Sequence, residues 1–286
     1  MYTTLISTQQ LGDLQSRSQA LMVFDCSFEL MQGDAGDQQY QQSHISGAVR
    51  ADLERHLSAS RSASDAASGG RHPLPSRDAF AAWLGSIGFD NTMQAVVYDR
   101  QGANYCGRLW WMLKWVGHEN VAVLDGGMQA WLATGGVVES GSASPRAACN
   151  FSLTEARATL IDAKTVVANL GRPIQNLVDA RGLPRFKGEV EPLDPVAGHI
   201  PGALNRPFGM NFDAAGKFKA PAELKAEFEA LLARREPATV VHHCGSGVSA
   251  VPNIIAMELA GFGRTALYAG SWSEWCSDPN RPVAQG

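Results

Sequence analysis

The sequence predicts two tandem α/β domains, each a mainly parallel sheet flanked by helices. Three observations support this fold class. The 286 residues, 45% of them hydrophobic, are enough for two domains of ordinary size. The two halves of the chain repeat each other. Within each half, short apolar runs alternate with segments of helical spacing, as expected of a parallel sheet whose strands are connected by helices.

The repeat is visible in one ungapped alignment. The stretch AVVYDRQGANYCGRLWWMLKWVGHENVAVLDGGMQAW aligns with TVVHHCGSGVSAVPNIIAMELAGFGRTALYAGSWSEW, so that Val96 matches Val240 at a separation of 144 positions. Upstream, the HISGA segment matches HIPGA, and His44 and His199 are 155 positions apart. The larger separation indicates an extra loop in the first half, which we assign to SASRSASDAASGG.

The boundary between the repeats is predicted in the small, polar stretch ESGSASPRAACN, giving domains 1–143 and 144–286. In the second half, NLVDAR and ATVVHH have the apolar pattern of buried strands. The segments PAELKAEFEALLARR and SAVPNIIAMELAGF have helical spacing. Ligand sites in such folds lie beyond the carboxyl ends of the strands, and Cys244 directly follows the strand ATVVHH.

Composition argues against several classes of partner. Charged residues make up 18% of the chain and the net charge is −4, so no nucleic-acid or acidic-membrane surface is expected. The five cysteines are widely spaced without a C-x-x-C pair, which favours a reducing compartment and no zinc site. No signal peptide or membrane-spanning run is evident, so we expect a cytoplasmic protein.

The loop CGSGVSA has the features of a nucleophile loop. A cysteine at the start of a helix is favoured as thiolate by the free N–H groups there. The glycines allow successive N–H groups to converge on an anion, so we expect a cradle formed by Gly245, Ser246, Gly247, Val248 and Ser249. The alternative is that the cysteine is a small buried hydrophobic residue. A cysteine phosphatase would need an arginine at position 250, which is alanine, so attack on a sulfur atom is favoured.

These motifs together resemble the two-domain rhodanese-type sulfurtransferases, from about residue 5 to 283. The resemblance rests on the tandem repeat, DAR after a strand, GHIPGALN, the cysteine loop and AGSWSEW. The loop is similar to the C-G-S-G-V-T-A of 3-mercaptopyruvate sulfurtransferases, whereas thiosulfate-preferring relatives carry C-R-K-G-V-T. Here Gly245 and Ser246 replace the two basic residues. A dianion such as thiosulfate needs more positive charge than the monoanion mercaptopyruvate, so the neutral loop favours mercaptopyruvate.

The resemblance implies a set of catalytic residues. Cys244 would be the nucleophile, and Ser246 would work with His72 and Glu54 from the first half. Asp52 lies two residues from Glu54 on the same segment. Without the resemblance, the histidine and the acid would read as a solvated turn residue and a surface charge.

The first repeat is expected to be catalytically degenerate. Arg100 occupies the position that matches Cys244, and Cys106 is predicted to be a packed helix residue. His242 and His243 suggest a metal site or a thiolate partner, but consecutive strand residues point to opposite faces, so structural roles are favoured.

Substrate binding is expected from Arg185, the arginine that precedes an aromatic residue in the family, while Arg181 is expected to pair with acids. Mercaptopyruvate enzymes often carry a second arginine in an E-P-R context, and this chain has Leu193 there. Arg108 and Lys187 are candidate replacements.

The sequence thus predicts a sulfurtransferase that moves sulfur from 3-mercaptopyruvate through a Cys244 persulfide to cyanide, a small thiol or thioredoxin. No metal or organic cofactor is expected. The alternatives are a thiosulfate:cyanide sulfurtransferase and a non-catalytic rhodanese-like binding module.

Overall fold

The computed structural model describes residues 1–17 and 20–286, which form two compact units. The first comprises Met1–Ser58, Pro75–Arg157 and Ala214–Lys217, and the second Ala59–Leu74, Ala158–Asp213 and Phe218–Gly286. This division differs from a cut after residue 143 because residues 144–157 pack with the first unit and residues 59–74 with the second. There the backbone N–H of Arg71 donates to Ser273 Oγ at 2.9 Å. Most of the extra loop predicted from the repeat therefore belongs to the C-terminal unit.

The strands of the first unit are β1 Leu5–Ile6, β2 Leu21–Asp25, β3 His44–Ile45, β4 Val49–Arg50, β5 Gln94–Tyr98, β6 Val121–Leu124 and β7 Val138–Glu139. They form a five-stranded parallel sheet of order β1-β6-β5-β2-β4 and a separate antiparallel pair β3-β7. Its helices are α1 Thr8–Ser16, α2 Ala35–Gln42, α3 Arg77–Ser86, α4 Cys106–Trp115 and α5 Gly127–Ala133. The central strand β5 is buried along its whole length, as parallel strands covered on both faces require.

The strands of the second unit are β8 Asn176–Asp179, β9 Leu204–Asn205, β10 Val240–His243 and β11 Ala266–Leu267. They form a four-stranded parallel sheet of order β11-β10-β8-β9. Its helices are α6 Ala163–Ala168, α7 Leu183–Lys187, α8 Pro221–Leu232, α9 Val251–Leu259 and α10 Ser271–Trp275, with 3₁₀ turns at Phe208–Asn211 and Pro237–Thr239. The two strands and two helices predicted from the second half are confirmed.

The strand order confirms the repeat. Strands β6-β5-β2-β4 of the first unit correspond to β11-β10-β8-β9 of the second. The parallel bridge between Leu160 and Leu267 takes the place of the β1-β6 pairing. His44 stacks on Tyr40 with ring centroids 3.9 Å apart, and His199 stacks on Phe186 at 3.8 Å. The two matching histidines therefore hold equivalent structural positions.

Each unit has its own apolar core beside its sheet. In the second unit the core includes Val241, Trp272 and Trp275, which pack with the aliphatic side chains of α6 and β8. This core fixes β10 and α10 against one another, and the cysteine loop runs between these two elements. Among the described residues, no helix is long and apolar enough to cross a bilayer.

Candidate active site

Cys244 directly follows β10 and is 2% exposed. Its backbone N–H donates to Ser271 Oγ at 3.1 Å, and its carbonyl accepts from the N–H of Trp272 at 3.0 Å. The next carbonyl, that of Gly245, accepts from Ser273 N–H at 2.9 Å. Three hydrogen bonds from α10 thus hold the cysteine in place at the carboxyl edge of the sheet.

The loop after Cys244 contains backbone N–H groups that have no acceptor among the described residues. Gly247 has φ +72°, and a Cβ there would lie 2.2 Å from the Ala269 carbonyl oxygen, so the turn requires glycine. Within the described part of the chain, the N–H groups of Gly245, Ser246, Val248 and Ser249 donate to no protein acceptor. Unused N–H groups at the start of a helix favour binding of an anionic group there.

Ser246 and His72 are brought together, as the sequence predicts. Ser246 Oγ lies 2.8 Å from His72 Nδ1, and the two residues are 8% and 4% exposed. Residues 59–74 carry His72 as part of the second unit. The pair can exchange a proton, because a buried hydroxyl and an imidazole share one short hydrogen bond.

Glu54 lies in the first unit with an exposed side chain. Its neighbour Asp52 is buried, accepts the N–H groups of Glu54 and Arg55 at 3.0 and 2.9 Å, and pairs with Arg50. Asp52 therefore stabilises its own turn, and the role of Glu54 as the acid stays a prediction.

Arg185 lies beside the cysteine loop. Its guanidinium pairs with Glu191 at 2.6 Å and with Asp194 at 3.2 Å, and its Nη1 is 3.6 Å from the position of a Cβ built on Gly245. The substrate-binding role predicted for this arginine is therefore compatible with its location.

The other predicted basic residues lie elsewhere. Arg181 is buried and pairs with Asp179 at 2.7 Å and Glu191 at 3.3 Å, as the sequence predicts. Lys187 is 41% exposed on its side chain and reaches Glu189 at 3.9 Å. Arg108 is fully buried within the first unit, where it donates to the Leu57 carbonyl. Its burial argues against the expectation that it binds substrate.

The two histidines before Cys244 are buried on β10. Nε2 of His242 lies 3.2 Å from Met257 Sδ, and burial lowers the pKa of this imidazole to about 3. Burial also lowers the pKa of His243. Both rings are therefore neutral near pH 7, in keeping with structural roles. In the described part of the chain, no three His, Cys, Asp or Glu residues are grouped as a metal site.

The matching loop of the first unit already holds a carboxylate. Asp99 accepts hydrogen bonds from four backbone N–H groups, those of Gln101 (2.9 Å), Ala103 (3.0 Å), Tyr105 (2.8 Å) and Cys106 (2.9 Å). In the second unit the residue that matches Asp99 is His243. Burial raises the pKa of the Cys106 thiol well above its ordinary value, which keeps it protonated.

Sequence reasoning missed two residues of the site, Ser271 and Arg71. Ser271 has φ +55°, and its hydroxyl accepts from Cys244 N–H and donates to the Tyr268 carbonyl at 2.9 Å. Its repeat partner Gly127 has φ +56°, so a glycine at the matching position was an available signal. Arg71 pairs with Asp194 at 2.7 Å. No sequence signal pointed to Arg71, because its partner Asp194 lies 123 positions away along the chain.

Comparison with known proteins shows the family to which this chain is similar. The model of the rhodanese-like domain matches residues 7–134 and 162–278. A probable 3-mercaptopyruvate sulfurtransferase from Pseudomonas aeruginosa is 46% identical over 283 residues, covering 99% of this chain and 98% of the relative. A putative thiosulfate sulfurtransferase from Mycobacterium tuberculosis is 38% identical, covering 99% and 97%.

A solved structure of SseA from Escherichia coli, a 3-mercaptopyruvate sulfotransferase with the rhodanese fold, has a TM-score of 0.80 at 28% identity, covering 95% of this chain and all of the other. Two matches to one domain model, nearly complete coverage of the relatives and a shared fold lead to one conclusion: the chain belongs to the rhodanese-like domain family, among the two-domain members that are named sulfurtransferases.

Proposed function

We propose that this protein is a 3-mercaptopyruvate sulfurtransferase in which Cys244 carries the sulfur as a persulfide. The observation that carries the proposal is that the N–H groups of Gly245, Ser246, Val248 and Ser249, directly after Cys244, donate to no acceptor among the described residues, and that Ser246 is hydrogen-bonded to His72. The same loop in the first unit is filled by Asp99. In the second loop, the matching N–H groups of Gly245 and Ser249 donate to no acceptor among the described residues.

The proposed first step is attack by the Cys244 thiolate on the sulfur of 3-mercaptopyruvate. An S–S bond forms and the C–S bond breaks, so the electron pair passes to carbon and gives the enolate of pyruvate. The enolate carbon takes a proton from Ser246, which recovers one through His72. Pyruvate leaves, and the persulfide stays among the N–H groups of residues 245–249. A thiophilic acceptor, such as cyanide, a small thiol or thioredoxin, then takes the outer sulfur.

Local charge supports a monoanionic donor. Three arginines beside the loop pair with three carboxylates. Arg71 pairs with Asp194, Arg181 with Asp179 and Glu191, and Arg185 with Glu191. The formal charges balance before a donor binds. A monoanion adds one charge to this cluster and a dianion adds two, so the single carboxylate of mercaptopyruvate is the easier group to accommodate.

The test is intact-protein mass spectrometry after incubation with a sulfur donor. We expect the wild-type chain to gain the mass of one sulfur atom. Cys244→Ser should lose this adduct, whereas Cys106→Ser should keep it, because Cys106 is a buried, protonated thiol. Absence of any adduct on the wild type would instead indicate a non-catalytic binding module.

A thiosulfate:cyanide sulfurtransferase is the second candidate, because the relative at 38% identity is named for thiosulfate. Steady-state assays with both donors separate the two functions. We expect the higher kcat/KM with 3-mercaptopyruvate; a much higher value with thiosulfate would reject the first assignment. The cytoplasmic location also stays a prediction.

A further inference from the structure

We propose that Arg71 supplies the second carboxylate grip of the donor site, in place of the arginine that is absent at position 193. The inference rests on the proposed function and specifies the ligand group: the carboxylate of a thiol-bearing α-keto acid, held between Arg71 and Arg185 beside Gly245. Both arginines belong to the second unit.

The two guanidinium groups converge on one face of the cysteine loop. A Cβ built on Gly245 would lie 3.1 Å from Arg71 Nη2 and 3.6 Å from Arg185 Nη1. Both groups therefore border the space left by the missing side chain at position 245, one residue from Cys244. A basic side chain at position 245 would compete with Arg71 for this space, so Gly245 and Arg71 are compatible as a pair.

Carboxylates hold each arginine without using all of its donors. Arg71 Nη1 and Nη2 lie 2.7 and 3.4 Å from the two oxygens of Asp194, and Arg185 uses Nε and Nη2 on Glu191. Among the described residues, Arg71 Nε and Arg185 Nη1 have no hydrogen-bond acceptor. Oriented arginines with unused donors are suited to bind a carboxylate.

The location of Arg71 explains how the chain tolerates Leu193. Arg71 Nη1 lies 3.4 Å from the Leu193 carbonyl oxygen, so its positive charge reaches the backbone of the position where the family motif places arginine. Arg71, Leu193 and Asp194 also line an open cavity of about 410 Å³. The cation missing at residue 193 is therefore restored by the segment that also carries His72.

The test compares two donors that differ only in the carboxylate: 3-mercaptopyruvate and 1-mercaptopropan-2-one. For Arg71→Gln we expect the ratio of their kcat/KM values to fall about 10-fold or more, mainly through KM for mercaptopyruvate, because a charge-assisted hydrogen bond is lost. Arg172→Gln is the matched control, since that arginine is exposed in the same unit. Leu193→Arg added to Arg71→Gln should restore the ratio.

The outcomes separate the two proposals. If the wild-type protein does not use 3-mercaptopyruvate, the proposed function fails. If it does, but Arg71→Gln leaves the ratio of the two donors unchanged or lowers both activities equally, the assignment of Arg71 is overturned. Circular dichroism and the urea midpoint of each variant show whether it is folded, so a lost fold is not read as lost recognition.

Discussion

At the scale of single residues, the site depends on two backbone positions in the left-handed region. Gly247 and Ser271 have φ +72° and +55°, and they shape the loop that follows Cys244 and the turn that holds it. A serine with positive φ costs free energy that glycine would not. Its compensation is the hydroxyl, which bonds to Cys244 N–H and to the Tyr268 carbonyl.

Ser271 can be tested by comparing two substitutions. Ser271→Ala and Ser271→Gly both remove the hydrogen bonds of the hydroxyl, but only alanine keeps the unfavourable φ. We expect the alanine variant to be the less stable, by up to about 1 kcal/mol. Both variants should form persulfide more slowly than wild type. Urea unfolding measures the free energies; an alanine variant as stable as the glycine variant would show that the backbone is not strained here.

At the scale of elements, the repeat predicts much of the site, but it does not predict which unit one inserted segment joins. The separation of 144 positions placed Cys244 and Arg100 after equivalent strands, and the apolar runs identified β8 and β10. Apolar periodicity carries no information about which unit an irregular segment joins. Residues 59–74 therefore read as a loop of the first half, although they pack on the second and bring Arg71 and His72 to the site.

Strand β10 also predicts how stability depends on pH. The pKa of His242 is about 3 in the folded chain and about 6.5 when unfolded, so below pH 6.5 the unfolded chain binds more protons. Stability should fall as pH decreases from 6.5 toward 3, by up to about 1.4 kcal/mol per pH unit from this residue. This loss is absent above pH 6.5.

His242→Leu isolates that contribution. Between pH 6.5 and 4.5, we expect the free energy of unfolding to fall less steeply with decreasing pH in the variant than in the wild type. The reason is that the variant lacks the one proton that His242 takes up on unfolding. Urea titrations of both proteins at pH 8, 6 and 5 measure the difference. Parallel curves over this range would mean that His242 is protonated equally in both states.

At the scale of the whole molecule, the two repeat loops differ in what their N–H groups bind. In the first loop they bind a carboxylate of the chain, whereas in the second those of Gly245, Ser246, Val248 and Ser249 have no acceptor among the described residues. In the first unit Arg100 pairs with Asp25 at 3.0 Å, and Asp99 occupies the N–H groups of the loop. The loop conformation is nonetheless similar, since Ala103 has φ +57° at the position of Gly247. Loss of the nucleophile is therefore only part of the difference, because the anion site itself is occupied by a residue of the chain.

This internal carboxylate predicts that activity cannot be restored by a single substitution. In a Cys244→Ser background, Arg100→Cys would place a thiol at the repeat-matched position, but Asp99 already takes four N–H groups there, so these donors are not available to stabilise a thiolate. We expect this double variant to gain no sulfur from 3-mercaptopyruvate, like Cys244→Ser alone. Intact-mass measurement with peptide mapping decides the matter. A persulfide mapped to position 100 would show that the first loop retains a functional cradle and that replacement of the cysteine alone made it degenerate.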